Sequence, residues 1–188
     1  MSAKSDRMPA VFFGHGSPLT AFEDGNPYVA AWRELGRRLP RPKSILVISG
    51  HWYVPGTAVT AMDRPPTIHD FYGFPEQLYR FRYQAPGSPE LAARAAELLK
   101  PAPVAQTDRW GLDHGAWTVL MHAFPEADVP VVQLSLDQRL SPADHFLPVL
   151  YIAAVQDQDE TPEFITEVTE GGGVDMTTVV VGAERLAA

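Results

Sequence analysis

The sequence has no cysteine among its 188 residues, which excludes disulfides and any metal site built on thiolates. A metal, if held, must be held by histidine or carboxylate. Basic residues are also scarce, with 15 Lys and Arg against 23 Asp and Glu and a formal charge of −8. A surface of that sign is poorly suited to phosphate backbones or anionic lipid heads, so neither nucleic acid nor membrane is an expected partner. The one basic cluster, RELGRRLPRPK, reads as the solvated face of a helix and the loop after it. No stretch reaches the ~18 consecutive apolar residues of a membrane span, and the opening MSAKSDRM lacks the apolar core of a secretory signal. A cytoplasmic location is the simplest expectation.

What is present is punctuation and histidine. The 18 prolines and 14 glycines fall between periodic segments, where they read as turns and not as low-complexity tracts. After a tail at 1–7, residues 8–188 are long enough for one domain with a sizeable core. The stretch KSILVISGHW runs apolar from Ile45 to Ile48 and then delivers His51 between Gly50 and Trp52. Such a run fits a strand buried on both faces of a parallel sheet. MPAVFFGHGSP repeats the design, with a strand over 9–13 running into Gly14 and His15. One such histidine could simply close a strand. Two strands ending in Gly-His suggest imidazoles gathered at the carboxyl edge of a sheet, where open α/β folds bind ligands and where a neutral imidazole can take a divalent metal.

The remaining segments fit an α/β fold in which a mostly parallel central sheet is flanked by helices. Asn26-Pro27 reads as a cap and first turn for PYVAAWRELGRRL, with Val29, Trp32 and Leu35 on one stripe. That helix would return the chain to the second strand as a parallel crossover unit. GTAVTAM reads as a strand, and Ser88-Pro89-Glu90 opens the helix ELAARAAELLK. In GLDHGAW a third glycine-flanked histidine, His114, lies ahead of a helix over 116–123, where the helix dipole favours a neutral imidazole suited to proton transfer. Asp113 beside it is either a cap or an orienting group, capping being the simpler role. His122, inside the same helix among apolar residues, reads as structural. A strand follows over 129–136. SPADHFLPVLYIAAV reads as an apolar helix carrying His145, and EFITEVTE and DMTTVVVG as two edge strands joined through GGG.

Taken together, GHGSP with His15, SGHW with His51, PPTIHDFYGFP with His69, APGSPELA, WGLDHGAW with His114, VVQLSLD and HFLPVLY with His145 resemble the 4,5-DOPA extradiol dioxygenase family, within the class III extradiol ring-cleavage dioxygenases. The likeness runs over 8–137 and resumes over 141–182. It implies one non-haem Fe(II) or Zn(II) per chain and oxygen-dependent opening of a catechol ring, with a DOPA-like catechol and dioxygen as small-molecule partners. On matching positions, the resemblance makes His15, His51 and His145 the metal ligands and His114 the catalytic residue, contacting substrate or oxygen. It puts His69, Phe71 and Tyr72 on a substrate-facing loop. Trp52, Tyr72 and Trp117 are candidates to wall the pocket, with core packing the competing role for Trp117.

The resemblance lapses in one place. Family members carry several tens of residues between QLSLD and HFLP, including a Gly-Asn-x-x-His-Asn stretch, and this sequence passes almost directly from one to the other near 137–145. The missing histidine is, in the family, a metal-associated group or the acid/base, a role that typically contributes ~10²–10⁴-fold. A shortened sheet is also expected to uncover apolar flanks of VVQLSL and to favour a homodimer. Two other functions therefore stand beside the dioxygenase: a non-catalytic metal- or ligand-binding remnant, and a zinc hydrolase in which three histidines activate water.

Overall fold

The computed structural model describes residues 7–139, 156, 160–166, 169–170 and 174–187. The helix expected over SPADHFLPVLYIAAV, and with it His145, lies outside the described residues.

The chain is an α/β protein in which helices cover a mixed sheet. Its strands are β1 (Ala10–Phe13), β2 (Ile45–Val54), β3 (Thr57–Thr60), β4 (Val104–Thr107), β5 (Val131–Asp137), β6 (Glu163–Thr166), β7 (Thr169–Glu170), β8 (Val174–Asp175) and β9 (Thr178–Val181). Its α-helices are α1 (Pro27–Arg38), α2 (Glu76–Arg80), α3 (Pro89–Leu98) and α4 (His114–Ala123), with short 3-10 turns at Pro18–Phe22 and Ala183–Arg185. The main sheet has the order β2-β5-β3-β4. The pairs β2–β5 and β3–β4 are parallel, while β3–β5 is antiparallel.

The helices start where the local chemistry says they should. The Asn26 side chain accepts from the Tyr28 amide at 2.9 Å, and Pro27 fills the first turn of α1. Val29, Trp32 and Leu35 turn inward and are almost fully buried. Ser88 caps α3 by accepting from the Leu91 amide at 3.1 Å. A Cβ on Gly36 of α1 would run into the Ala123 carbonyl of α4, so the closeness of these two helices needs that glycine.

Three expectations are corrected. The chain does not pass from β1 through α1 into a neighbouring parallel strand; β1 pairs antiparallel with β9 in a separate three-stranded sheet, β1-β9-β6. The C-terminal strands supply that partner, joined through the short β7–β8 pairing. Second, β2 is not buried on both faces. It has β5 on one side only among the described residues, and Leu46 is 43% exposed. Third, the flanks of VVQLSL are not uncovered, since every residue of β5 is buried. Val131 packs under α4 with Trp117 and Leu120, while Val132 and Leu134 pack with Val59 and with Ala92 of α3. The strand β4 and helix α2 went unread in the sequence. Arg7, placed in the tail by the sequence pattern, makes an ion pair with Glu160 at 3.3 Å.

Candidate metal centre

The Gly-His segments meet because of how β2 ends. Ile48 faces Leu134 and Tyr53 faces Leu136, so β2 advances five residues while β5 advances two. The extra residues lift the chain between Ser49 and Trp52 out of the ladder. That irregularity turns His51 toward the loop after β1, where His15 Nε2 and His51 Nε2 lie 2.9 Å apart. The first residue of α4 completes the group: the His51 and His114 rings are 3.9 Å apart between centroids, and those of His15 and His114 5.2 Å. One ligand-capable atom from each of the three lies within 4.8 Å of the others. His15 is partly buried, His51 exposed and His114 buried, so the cluster has one face open to solvent.

The protonation pattern shows what this arrangement needs. His15 Nδ1 is 2.9 Å from the Gly16 carbonyl, which can only accept, so the proton sits on Nδ1 and Nε2 carries a lone pair. His114 Nδ1 is 2.9 Å from Asp70 Oδ1 and donates to it in the same way. Burial, followed by the neighbouring imidazoles of His51 and His114, holds the pKa of His15 down to about 3, so it is a neutral base at pH 7. His15, its Nδ1 anchored and its Nε2 turned on His51, and His114, its Nδ1 anchored on Asp70, are imidazole donors of the kind a divalent cation takes. The residues present therefore fit a divalent metal ion.

Buried polar groups support the cluster from behind. Asp113 is the cap of α4, accepting from the Ala116 amide at 3.2 Å. The same carboxylate accepts from Ser49 Oγ at 2.9 Å and from the Gln133 side chain. Burial and the nearby Asp70 charge raise its pKa to about 6. Ser49 Oγ in turn accepts from the His51 amide at 3.2 Å. A Cβ on Gly115 would lie 2.7 Å from His51 Cδ2 and 2.9 Å from Ser49 Oγ, so the DHG glycine lets α4 approach β2 closely enough for their histidines to meet.

The aromatic residues divide. Phe71 meets the His114 ring edge-on at 5.6 Å and joins Phe74 and Tyr79 in one wall. His69 packs against Phe71 and Trp117, and its Nε2 is 3.2 Å from the Phe81 carbonyl. Tyr72 is 91% exposed. Trp52 is buried and stacks on Trp110 at 5.7 Å, and Trp117 is a fully buried core residue. His122, as expected, is structural: Nε2 meets the Ala21 carbonyl at 2.8 Å and Nδ1 accepts from Arg33 Nε at 3.3 Å. Sequence reasoning missed Asp70, Ser49, Gln133 and the packing role of Gly115. Only Asp70 left a signal, as the one carboxylate in the aromatic loop HDFYGF.

Fold and site together define an α/β protein with a three-imidazole centre where β1, β2 and α4 converge. Residues 9–147 match the family described as the catalytic LigB subunit of aromatic ring-opening dioxygenase, and the chain belongs to that family. It is similar to the 4,5-DOPA dioxygenase extradiol of Escherichia coli strain K12, 54% identical over 155 residues, covering 82% of this chain and 57% of that protein. It is also similar to the protein of the same name from Beta vulgaris, 41% identical over 164 residues, covering 84% and 61%. Among solved structures it resembles an uncharacterized protein from Escherichia coli K12, with a TM-score of 0.76, 29% identity and coverage of 93% of this chain and 100% of that one. The chain spans less than two thirds of the length of the curated relatives it matches.

Proposed function

We propose that the chain is a metal-dependent extradiol dioxygenase that opens a catechol ring, DOPA-like in class, with one Fe(II) or Zn(II) per chain. The observation that carries this reading is the meeting of His15 Nε2 and His51 Nε2 at 2.9 Å while His15 Nδ1 is tied to a carbonyl. Two imidazoles so placed, with His114 beside them, are the protein's share of a metal shell. His145 joins them as a further ligand on the strength of the family resemblance. An ion held by these residues would supply Lewis-acid chemistry toward a catechol and dioxygen. Phe71 and His69 form the apolar wall against which an aromatic ring can lie, and Tyr72 stands at the exposed rim. The buried Asp113, Ser49 and Gln133 keep β2 and α4 in register beneath the site.

A second reading has its own support. The chain covers 57% of its Escherichia coli relative and has no Gly-Asn-x-x-His-Asn stretch. A protein that binds metal and catechol yet turns over slowly is the form this reading takes, because the missing histidine is, in the family, a metal-associated group or the acid/base. Oxygen uptake separates the two. The protein is loaded with iron(II) without air, given a panel of catechols and then exposed to oxygen. Stoichiometric oxygen consumption with a yellow ring-opened product supports the dioxygenase. A visible catechol-to-metal band without oxygen consumption supports the remnant, and neither band nor uptake contradicts both.

A further inference from the structure

We propose that Asp70 is a positioning residue that holds His114, at the start of α4, as its Nδ1–H tautomer so that its Nε2 remains for a ligand. Its consequence for metal rests on the reading above, whereas its geometry does not. Asp70 lies in the loop between β3 and α2, and three hydrogen bonds fasten that loop to the start of α4. The Leu112 amide donates to the Pro66 carbonyl at 2.9 Å, the Ile68 amide to the Leu112 carbonyl at 2.7 Å, and Trp117 Nε1 to the Ile68 carbonyl at 2.9 Å. The carboxylate is thus carried on a braced segment.

From there Asp70 Oδ1 accepts the backbone amide of His114 at 3.0 Å and faces His114 Nδ1 at 2.9 Å. Oδ2 lies 3.9 Å from His51 Nδ1, beyond hydrogen-bond reach. Because a carboxylate accepts and cannot donate, His114 Nδ1 is favoured as the protonated nitrogen. Phe71, the next residue, packs edge-on against the His114 ring and limits its rotation. His15 needs no share of Asp70, since the Gly16 carbonyl does the same for it. A carboxylate outside a ligand shell orients the imidazole and raises its basicity, and losing such a group typically lowers metal affinity by ~10–100-fold.

Asparagine and alanine at this position separate charge from hydrogen bonding. Asp70→Asn keeps an acceptor for His114 without the charge; Asp70→Ala removes both. The first readout is the tautomer state in metal-free, ¹⁵N-labelled protein, read from long-range ¹H–¹⁵N spectra. In the wild type, His114 is expected as Nδ1–H. Asp70→Asn keeps that form, and Asp70→Ala does not. The second readout is cobalt(II) affinity by chelator competition, expected to fall by ~10–100-fold in the alanine variant and by less in the asparagine variant, with one ion per chain at saturation. Identical tautomers in wild type and both variants overturn the proposal, and so does unchanged cobalt affinity. Should the alanine variant fail to fold, Asp70→Leu, close in size and without an acceptor, decides through the same His114 tautomer. A wild-type protein that takes up no cobalt overturns the metal reading only, because the tautomer comparison is made without metal.

Discussion

His114 and His122 stand on the same helix, yet their surroundings give them opposite uses. His122 has a protein partner at each ring nitrogen, the Ala21 carbonyl at one and Arg33 at the other, so it joins the turn after β1 to α1 and α4. His114 commits Nδ1 to Asp70, and its ring lies against those of His51 and His15. The first pattern spends the imidazole on the fold. The second leaves a nitrogen without a hydrogen-bond partner among the described residues, available to a ligand. A histidine's use is therefore decided by how many of its nitrogens the protein satisfies, and burial alone does not distinguish these two.

The largest effect that could break this contrast is expected from His114→Ala. Losing an outer-shell partner alone lowers metal affinity by ~10–100-fold, so loss of the ring itself should exceed about 100-fold in a zinc or cobalt competition assay. An unchanged affinity would put His114 back among the residues that merely line the pocket. Gly115→Ala comes next. The added methyl must displace His51 or Ser49, and a loss of metal affinity of at least about 10-fold is expected with a smaller loss of stability. If affinity survives, β2 and α4 are more compliant than their packing indicates.

His122→Ala should cost about 1–3 kcal/mol in urea unfolding, because the Ala21 carbonyl and the Arg33 guanidinium lose a partner, while metal stoichiometry stays that of the wild type. The smallest effect is a pH dependence. Burial, and secondarily the Arg33 charge, hold the His122 pKa below its ordinary 6.5. The unfolded chain then binds a proton there before the folded one does. The stability this neutral imidazole provides is complete above pH 6.5 and declines as pH falls through that value toward the lower folded pKa. The slope it adds is at most about 1.4 kcal/mol per pH unit. In the presence of chelator, His122→Gln should flatten the pH dependence of the urea midpoint between pH 7 and 5. An identical slope would mean His122 titrates alike in both states.

Much of this was legible in the chain itself, for local reasons. Asn26-Pro27 and Ser88-Pro89 mark helix starts because a cap and a first turn are chemistry between adjacent residues. The two Gly-His strand ends signal the site because glycine and histidine sit side by side in the text. What was not legible depends on distant partners. β1 leaves its expected neighbour for β9, with Ala10 opposite Val181, a pairing that only the C-terminal strands make available. Asp70 lies 44 residues from His114, and its neighbours suggest an aromatic loop more than a carboxylate clamp. The excursion of β2 between Ile48 and Tyr53 is similarly invisible, since its cause is the register against β5.

The most direct test of the central claim is metal content. The purified chain is loaded with iron(II) or zinc without air, desalted and assayed beside His51→Ala and His122→Ala. About one ion per chain in the wild type and in His122→Ala, with none retained by His51→Ala, is the predicted result. A wild type without metal, or equal metal in all three proteins, would contradict the claim that the strand-end histidines form a metal centre.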